Sequence, residues 1–202
     1  MSWEVTKSPR TPKYGNDDDY ADQLMRRAFA AYHRTVDGRP NRKGGHYRIN
    51  MLPTTCHVYF GSVIGATPDG RRAGRPLSEG ISPAQGADRK GPTASLNSVA
   101  QTRCGEYKER AARLLNMKLT PSSVAGSDGT RKLMSLIRTA CDLRMWHLQF
   151  NIINSKTLIE AQKNPEKYRN LLVRVAGYSA YFVDLTPQLQ NEIIERTEHE
   201  GF

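Results

Sequence analysis

Apolar residues first recur at helical spacing just after three consecutive aspartates, Asp17–Asp19. Acidic side chains stabilise the positive end of the helix dipole, so these aspartates favour a helix start. The apolar positions that would share one helix face are Leu24, Ala28, Ala31 and Tyr32. The pattern predicts a first helix that ends before Asp37-Gly38, with these residues as its apolar face.

The next apolar run, residues 49–64, contains many residues that favour strands. Its apolar positions are Ile49, Met51, Val58, Phe60, Val63 and Ile64. Pro53 interrupts the run, and a proline lacks the N–H that a strand interior needs. We therefore predict two short buried strands, one on each side of Pro53.

Helices and strands alternate in the second half of the chain. The segment around Glu106 to Leu115 admits a helix, and the next one is better defined because its apolar residues form a single face. That face consists of Leu133, Leu136, Ile137 and Ala140. Leu148, Phe150 and Ile152 then alternate with polar residues, as in a half-buried strand.

The last part of the chain continues this alternation. The predicted elements are a helix capped by Ser155, a short helix starting at Asn164-Pro165, a strand over "NLLVRV", and a final helix opened by Thr186-Pro187 with Leu189, Ile193 and Ile194 inward. Strands that alternate with helices predict the α/β class.

A glycine- and proline-rich segment, residues 67–93, interrupts this pattern. Pro68-Asp69-Gly70 is typical of a turn. Segments this long without regular structure are usually functional or flexible. A solvated linker between domains is one interpretation, although Leu77 and Ile81 are unlike the residues of a flexible linker.

Composition limits the class of protein. The chain has 202 residues, of which 38% are hydrophobic, enough for a buried core. No apolar stretch reaches the length of a membrane span, and no signal-peptide pattern opens the chain. We therefore expect a cytoplasmic protein that does not bind a membrane.

The net charge of +10 raises the question of nucleic acid. The basic residues are spread along the chain, and no nucleic-acid-binding motif accompanies them. Nucleic acid is therefore not an expected partner, although a basic nucleic-acid-binding protein remains an alternative. An acidic protein surface would also account for the charge.

The cysteines and histidines do not suggest a metal site. Cys56, Cys104 and Cys141 lack paired CxxC spacing and are expected to be free thiols, with Cys56 buried. The five histidines lack metal-ligand spacing and are expected to be structural or exposed. No metal is predicted.

Gly177 lies inside "RVAGYSAYF", where a strand interior would gain nothing from a glycine. This motif, the segment "ATPDGRRAGRPLSEGISPAQGADRKGPTA", and "PKYGNDDDYAD" with "VDGRPNRKGGHYRINMLPTTCHVYFGS" carry a specific resemblance. The chain resembles the C-terminal part of glycyl radical enzymes of the pyruvate formate-lyase superfamily. It is most similar to the branch that acts on glycerol, propanediol, choline or hydroxyproline.

The resemblance implies a fold and a division of the chain. The expected fold is α/β, a partial C-terminal section of a ten-stranded α/β barrel with a long irregular Gly/Pro-rich loop. Residues 1–66 would belong to the large barrel portion, residues 67–93 would form the loop, and residues 94–202 would form the glycine radical domain. A section of a barrel would expose strand edges and apolar faces, so marginal stability or an obligate partner is expected.

The resemblance also implies the chemistry. Gly177 would carry a glycyl radical, installed after translation by an activase that uses S-adenosylmethionine and an iron–sulfur cluster, with no cofactor bound to the chain itself. The residues implied to pack around the loop and keep it buried are Arg174, Tyr178, Ser179, Tyr181 and Phe182.

The family's radical acts through a cysteine on a second loop of the form G-C-x-E, and this chain contains no such motif. A Cys-bearing large portion or subunit is therefore an implied partner, and the implied function is the radical-bearing fragment or subunit of a dehydratase or lyase. Two alternatives remain open. One is an autonomous glycyl radical cofactor that repairs an oxygen-cleaved enzyme, and the other is an inactive remnant.

Overall fold

The structure is a computed structural model that describes residues 11–102, 113–145 and 147–202. The helices in these ranges are α1 (Asp19–Val36), α2 (Cys56–Val63), α3 (Pro92–Ala100), α4 (Gly126–Asp142), α5 (Ser155–Lys163) and α6 (Pro187–Glu195). The strands are β1 (Leu114–Leu119), β2 (His147–Ile152), β3 (Leu172–Arg174), β4 (Ser179–Tyr181) and β5 (Glu198–His199).

Strand β1 lies between β2 and β5 in a three-stranded parallel sheet. It pairs with β2 along its whole length, from Leu114 opposite His147 to Leu119 opposite Ile152. Because side chains alternate along a strand, Leu115 and Met117 point to one face of the sheet, and Leu114 points to the other. Strands β3 and β4 form a separate antiparallel hairpin.

Two apolar clusters occupy the two faces of this sheet. The first contains Leu114, Leu158, Ala161, Val173, Val175, Ala176, Phe182, Leu189 and Ile193. The second contains Ile81, Leu96, Val99, Leu115, Met117, Leu136 and Ala140. The hairpin, α5 and α6 therefore pack on one face of β1, and α3 and α4 pack on the other.

The first predicted helix is confirmed as α1, and Asp18 caps it by accepting a hydrogen bond from the Ala21 N–H. The predicted apolar positions Leu24, Ala28, Ala31 and Tyr32 share one face of α1, and that face is exposed in the described residues. The inward face carries Phe29, His33 and Asp22 instead. Asp22 fixes this rotation by accepting a 2.9 Å hydrogen bond from the Ser98 hydroxyl on α3.

The two strands predicted between residues 49 and 64 are wrong. Met51 forms only an isolated bridge to Arg113, and residues 56–63 form α2. The backbone turns at Thr54, where φ is +56°, and the Cys56 N–H then donates to the Pro53 carbonyl. This local turn outweighs the strand preference of the side chains, which depends on context more than helix preference does. Cys56 is exposed on α2, which corrects the prediction of a buried thiol.

The Gly/Pro-rich loop is irregular up to Gly91, and α3 begins at Pro92. The turn at Pro68-Asp69-Gly70 is confirmed, since the Gly70 N–H donates to the Thr67 carbonyl. The interpretation as a solvated linker is wrong, because Ile81 is only 1% exposed. Asn16 also fastens the loop: its side chain donates to the Ala87 carbonyl and accepts from the N–H groups of residues 89 and 90.

Most elements predicted in the second half are present: α4, β2, β3 and α6 are confirmed, and Asn164-Pro165 leads into a single 3-10 turn, Pro165–Tyr168. The helix predicted over 106–115 does not extend to its predicted end, because Leu114 and Leu115 begin β1. Residues 106–112 and Cys104 lie outside the described ranges. Asn154 caps α5 in place of Ser155, because its Oδ1 accepts from the Thr157 N–H.

Candidate functional site

Gly177 lies at the tip of the hairpin that β3 and β4 form. The strands pair from Leu172 opposite Tyr181 to Arg174 opposite Ser179, and the Val175 N–H closes the turn by donating to the Tyr178 carbonyl at 2.9 Å. Gly177 has a φ of +83°, a region that residues with side chains rarely adopt. The turn therefore requires a glycine for its conformation as well as for any chemistry.

Four polar side chains line the sheet face beneath this hairpin. Because directly paired residues of parallel strands point to the same side, the pairs Asn116–Gln149 and Lys118–Asn151 share one face. They interrupt the apolar sequences "LLNMKL" and "HLQFNI" at every second position. Polar groups inside a fold require hydrogen-bond partners, and the hairpin supplies several of them.

Asn151 binds the backbone of β3 at both ends of its amide. Its Oδ1 accepts from the Arg174 N–H at 2.8 Å, and its Nδ2 donates to the Arg174 carbonyl at 2.9 Å. Asn116 Nδ2 donates to the Val175 carbonyl at 3.3 Å. The Gly177 N–H itself donates to Gln149 Oε1 at 3.3 Å. Side chains of β1 and β2 thus make the backbone hydrogen bonds to β3 and the turn that a neighbouring strand would otherwise make.

Arg196, just after α6, completes the support from a third direction. Its Nη2 donates to the Val175 carbonyl at 2.9 Å, and its Nη1 donates to the Arg174 carbonyl at 3.4 Å. The same guanidinium binds Glu192 through Nε at 3.0 Å and Nη2 at 2.7 Å. Arg196 therefore joins a buried carboxylate to two carbonyls at the base of the turn.

Glu192 is fully buried, and three elements surround its carboxylate. Gln85 of the Gly/Pro-rich loop donates to it at 3.0 Å, and His57 Nε2 on α2 lies 3.5 Å away. Burial would raise the pKa of Glu192, but the charge of Arg196, its hydrogen bonds and the nearby His57 lower it to about 2. Glu192 is consequently ionised at neutral pH.

A second buried carboxylate, Glu79, lies beside this pair. Its Oε2 accepts from the Ser82 hydroxyl at 3.1 Å and from Asn116 Nδ2 at 2.5 Å. Burial raises the pKa of Glu79, and Arg196 only partly offsets this effect. A cavity of about 20 Å³ between Glu79, Glu192 and His199 is large enough for one water molecule.

Lys118 is a buried cation on the same sheet face. Its Nζ donates to the Ile194 carbonyl at 2.7 Å and to the Ser155 hydroxyl at 2.8 Å. Burial lowers the pKa of Lys118 to about 8, although Glu198, 3.9 Å away, acts in the opposite direction. These contacts attach α5 and α6 to the sheet below the hairpin.

The hairpin brings the predicted site residues together, but in different environments. Arg174 Nη1 donates to the Ser179 hydroxyl across the hairpin at 3.1 Å, and Phe182 is fully buried in the first apolar cluster. Tyr178 and Tyr181 are 38% and 45% exposed, and Gly177 is exposed as well. The described residues thus do not bury the turn, and the supporting role of its neighbours stays a prediction.

Sequence reasoning did not identify the polar face or the Arg196–Glu192 pair. The polar face has a signal in the sequence, which is the regular placement of polar residues within two otherwise apolar strands. Arg196 and Glu192 carry the four-residue spacing of a helical ion pair, which is common on surfaces and therefore gives no sign of burial.

The comparisons with known proteins agree with this geometry. Residues 77–183, which include the hairpin, match the family model described as "Glycine radical". The chain belongs to the glycine radical family. Residues 4–61 match a second model, described as "Pyruvate formate lyase-like".

Curated relatives of this glycine radical chain are glycyl radical lyases and dehydratases. It is 53% identical to isethionate sulfite-lyase of Oleidesulfovibrio alaskensis, over 94% of this chain and 23% of the relative. It is 50% identical to trans-4-hydroxy-L-proline dehydratase of Clostridioides difficile, over 95% of this chain and 24% of the relative. The chain thus spans about a quarter of the length of the curated relatives it matches.

Solved structures confirm the fold of the part that is present. Hydroxyproline dehydratase from Clostridioides difficile matches with a TM-score of 0.90 at 49% identity, over 96% of this chain and 24% of that one. The B12-independent glycerol dehydratase from Clostridium butyricum matches with a TM-score of 0.86 at 46% identity, over 95% and 24%. The glycine radical chain has the fold of the corresponding part of these enzymes.

Two further observations concern the described ranges only. They contain no group of three or more His, Cys, Asp or Glu side chains that could hold a metal ion. Within the same ranges, no helix is both long and apolar enough to cross a membrane.

Proposed function

We propose that this chain is the radical-bearing part of a glycyl radical dehydratase or lyase and that Gly177 carries the radical. The observation that carries the proposal is the position of Gly177, at an exposed, left-handed turn within the motif "RVAGYSAYF". The match of residues 77–183 to the glycine radical model supports it. We also propose the division into residues 1–66, 67–93 and 94–202.

The chemistry of an α-carbon radical explains why glycine is needed. Loss of one hydrogen atom leaves an unpaired electron that the amide nitrogen and the carbonyl share best when the carbon is planar. A side chain would crowd that plane, and it would also be strained at a φ of +83°. In the proposed cycle, a cysteine S–H of the partner portion gives its hydrogen atom to the Gly177 radical. The cysteine sulfur then carries a thiyl radical, which reacts with the substrate.

Two partners follow from this proposal. A radical activase using S-adenosylmethionine and an iron–sulfur cluster would take the first hydrogen atom from the exposed turn. A Cys-bearing large portion would cover the apolar side chains that the described chain exposes. On α1 and α2 these are Tyr20, Leu24, Tyr32, Tyr59, Phe60 and Val63. Large exposed apolar patches are typical of protein interfaces. A complete ten-stranded barrel would then form from both portions.

The test is anaerobic activation of the purified chain with a dehydratase-type activase, S-adenosylmethionine and reductant, followed by electron paramagnetic resonance. We expect a doublet from the wild type and none from Gly177→Ala. Gly126→Ala is the matched control, because Gly126 also has positive φ, +67°, but lies at the start of α4. It should retain the doublet.

Air supplies a second observation on the same samples, since oxygen should cut the activated wild-type chain at Gly177. A silent wild type, with an activase proven on a full-length relative, would overturn the proposal.

Addition of the activated chain to a relative already cut at its glycine separates two roles. Recovery of activity indicates a repair module, whereas activity only with a dedicated short partner indicates a subunit.

A further inference from the structure

The base of the Gly177 turn depends on a charged side chain outside the glycine motif. The carbonyls of Arg174 and Val175 both point away from their own hairpin and accept from Arg196, at 3.4 and 2.9 Å. These residues directly precede Ala176 and Gly177, so the orientation of their peptide planes determines where the turn lies. A shift of either carbonyl would move the Gly177 α-carbon.

The guanidinium itself is held in a fixed orientation. The Arg196 side chain is 9% exposed, and it contacts Glu192, which is fully buried, along one edge through Nε and Nη2. Its Nη1 and Nη2 then project toward the hairpin. A planar group with several donors can satisfy a carboxylate and two carbonyls together, which an ammonium group cannot do with the same geometry.

The connection extends to elements distant in sequence. Glu192 also accepts from Gln85 in the Gly/Pro-rich loop and faces His57 on α2. The position of the radical turn is therefore coupled, through one buried carboxylate, to the packing of that loop and of α2. By contrast, the side chains of Tyr178 and Tyr181 are exposed.

We propose that Arg196 is the positioning residue of the glycyl radical turn, holding the carbonyls of Arg174 and Val175 so that the Gly177 α-carbon is presented in one geometry. This inference rests on the proposed function, because it assigns Arg196 a role for that radical. The role belongs to the forked shape of the guanidinium rather than to its charge alone.

Arg196→Lys separates the two contributions, because lysine keeps the charge beside Glu192 but cannot donate to both carbonyls in the same way. We expect an unfolding temperature close to that of the wild type. The spin per chain after activation should fall on the order of tenfold or more, since small misplacement of a reacting atom is costly. The doublet that remains should have altered hyperfine splitting. Arg75→Lys is the matched control, because Arg75 pairs with Glu195 on the exposed side of α6.

Amide hydrogen exchange gives a readout that needs no radical. In Arg196→Lys, the amides of residues 174–178 should exchange on the order of tenfold faster, while those of α4 remain unchanged. Wild-type spin yield, spectrum and exchange in this variant would overturn the inference and leave the proposed function intact. A silent wild type would overturn the proposed function, and the exchange comparison would still decide whether Arg196 fastens the turn.

Discussion

Glu192→Gln tests whether the buried ion pair below the turn stabilises the fold. The folded state lowers the pKa of Glu192 from 4.5 to about 2. Each pKa unit corresponds to about 1.4 kcal/mol, so ionisation of Glu192 contributes about 3 kcal/mol to the free energy of unfolding at pH 7. Removal of one partner from a buried ion pair costs about 3–5 kcal/mol by mutational experience, which agrees.

The pH dependence follows from the direction of this shift. A carboxyl group whose pKa is lowered by folding contributes its full stabilisation above its unfolded pKa of 4.5. That contribution is lost as the pH falls toward 2, where the folded protein also becomes protonated. The difference between wild type and Glu192→Gln should therefore be largest near neutral pH and shrink through this window.

Urea denaturation followed by circular dichroism, at pH values from 7 down to 2.5, measures both quantities. Glu195→Gln is the matched control, because Glu195 lies three positions further along the chain and pairs with Arg75 at the surface. Exposed pairs contribute only about 0–1 kcal/mol. The reasoning fails if Glu192→Gln is as stable as Glu195→Gln at pH 7, or if its difference from wild type does not change with pH.

Three further predictions concern other parts of the fold. Phe182→Ala should lose about 3–5 kcal/mol in urea denaturation, because Phe182 is fully buried in the first apolar cluster. The free energy of unfolding of the wild type should increase as the pH rises from about 8 to 10.5, because Lys118 loses its proton at a lower pH in the folded protein than in the unfolded chain. Lys118→Met should not show this increase. Asn16→Ala should accelerate tryptic cleavage within the Gly/Pro-rich loop, whose backbone Asn16 binds.

Each of these predictions has a control or a contrary outcome. Tyr181→Ala, at an exposed position of the same hairpin, should change stability by about 0.5 kcal/mol or less. Parallel pH profiles for wild type and Lys118→Met would show that Lys118 does not cause the gain. Asn41→Ala removes a similar asparagine from an exposed turn, so equal cleavage rates in Asn41→Ala and Asn16→Ala would refute the anchoring role of Asn16.

The sequence predicted elements well where local pattern and packing agree. In α4, the residues buried against the sheet include Leu136 and Ala140 from the predicted face. In α6, Leu189 and Ile193 are buried as expected. The sequence did not indicate which side of α1 is buried in this chain, because that side carries an aspartate that binds α3.

The site was predictable only in part, for a related reason. The motif around Gly177 is local in sequence and could be read directly. Asn116, Asn151 and Arg196 lie far from that motif, and their role depends on the pairing register of β1 and β2 and on the end of α6. A single sequence gives the alternation of polar residues, but it does not show which backbone groups will lie opposite them.

The two hydrogens on the α-carbon of Gly177 are stereochemically distinct, as in any glycine of a chiral chain, and the left-handed backbone, with φ of +83°, decides where each one points. The direction that an L side chain would take leads to a point 3.3 Å from Cδ1 of Leu52, so the hydrogen on that side faces a leucine methyl group. In the proposed radical, the α-carbon becomes planar, so the residue itself no longer distinguishes its two faces and only the surrounding residues do. Stereospecific deuterium at Gly177 would therefore record the face on which each proposed transfer occurs, and Leu52 marks one of the two faces.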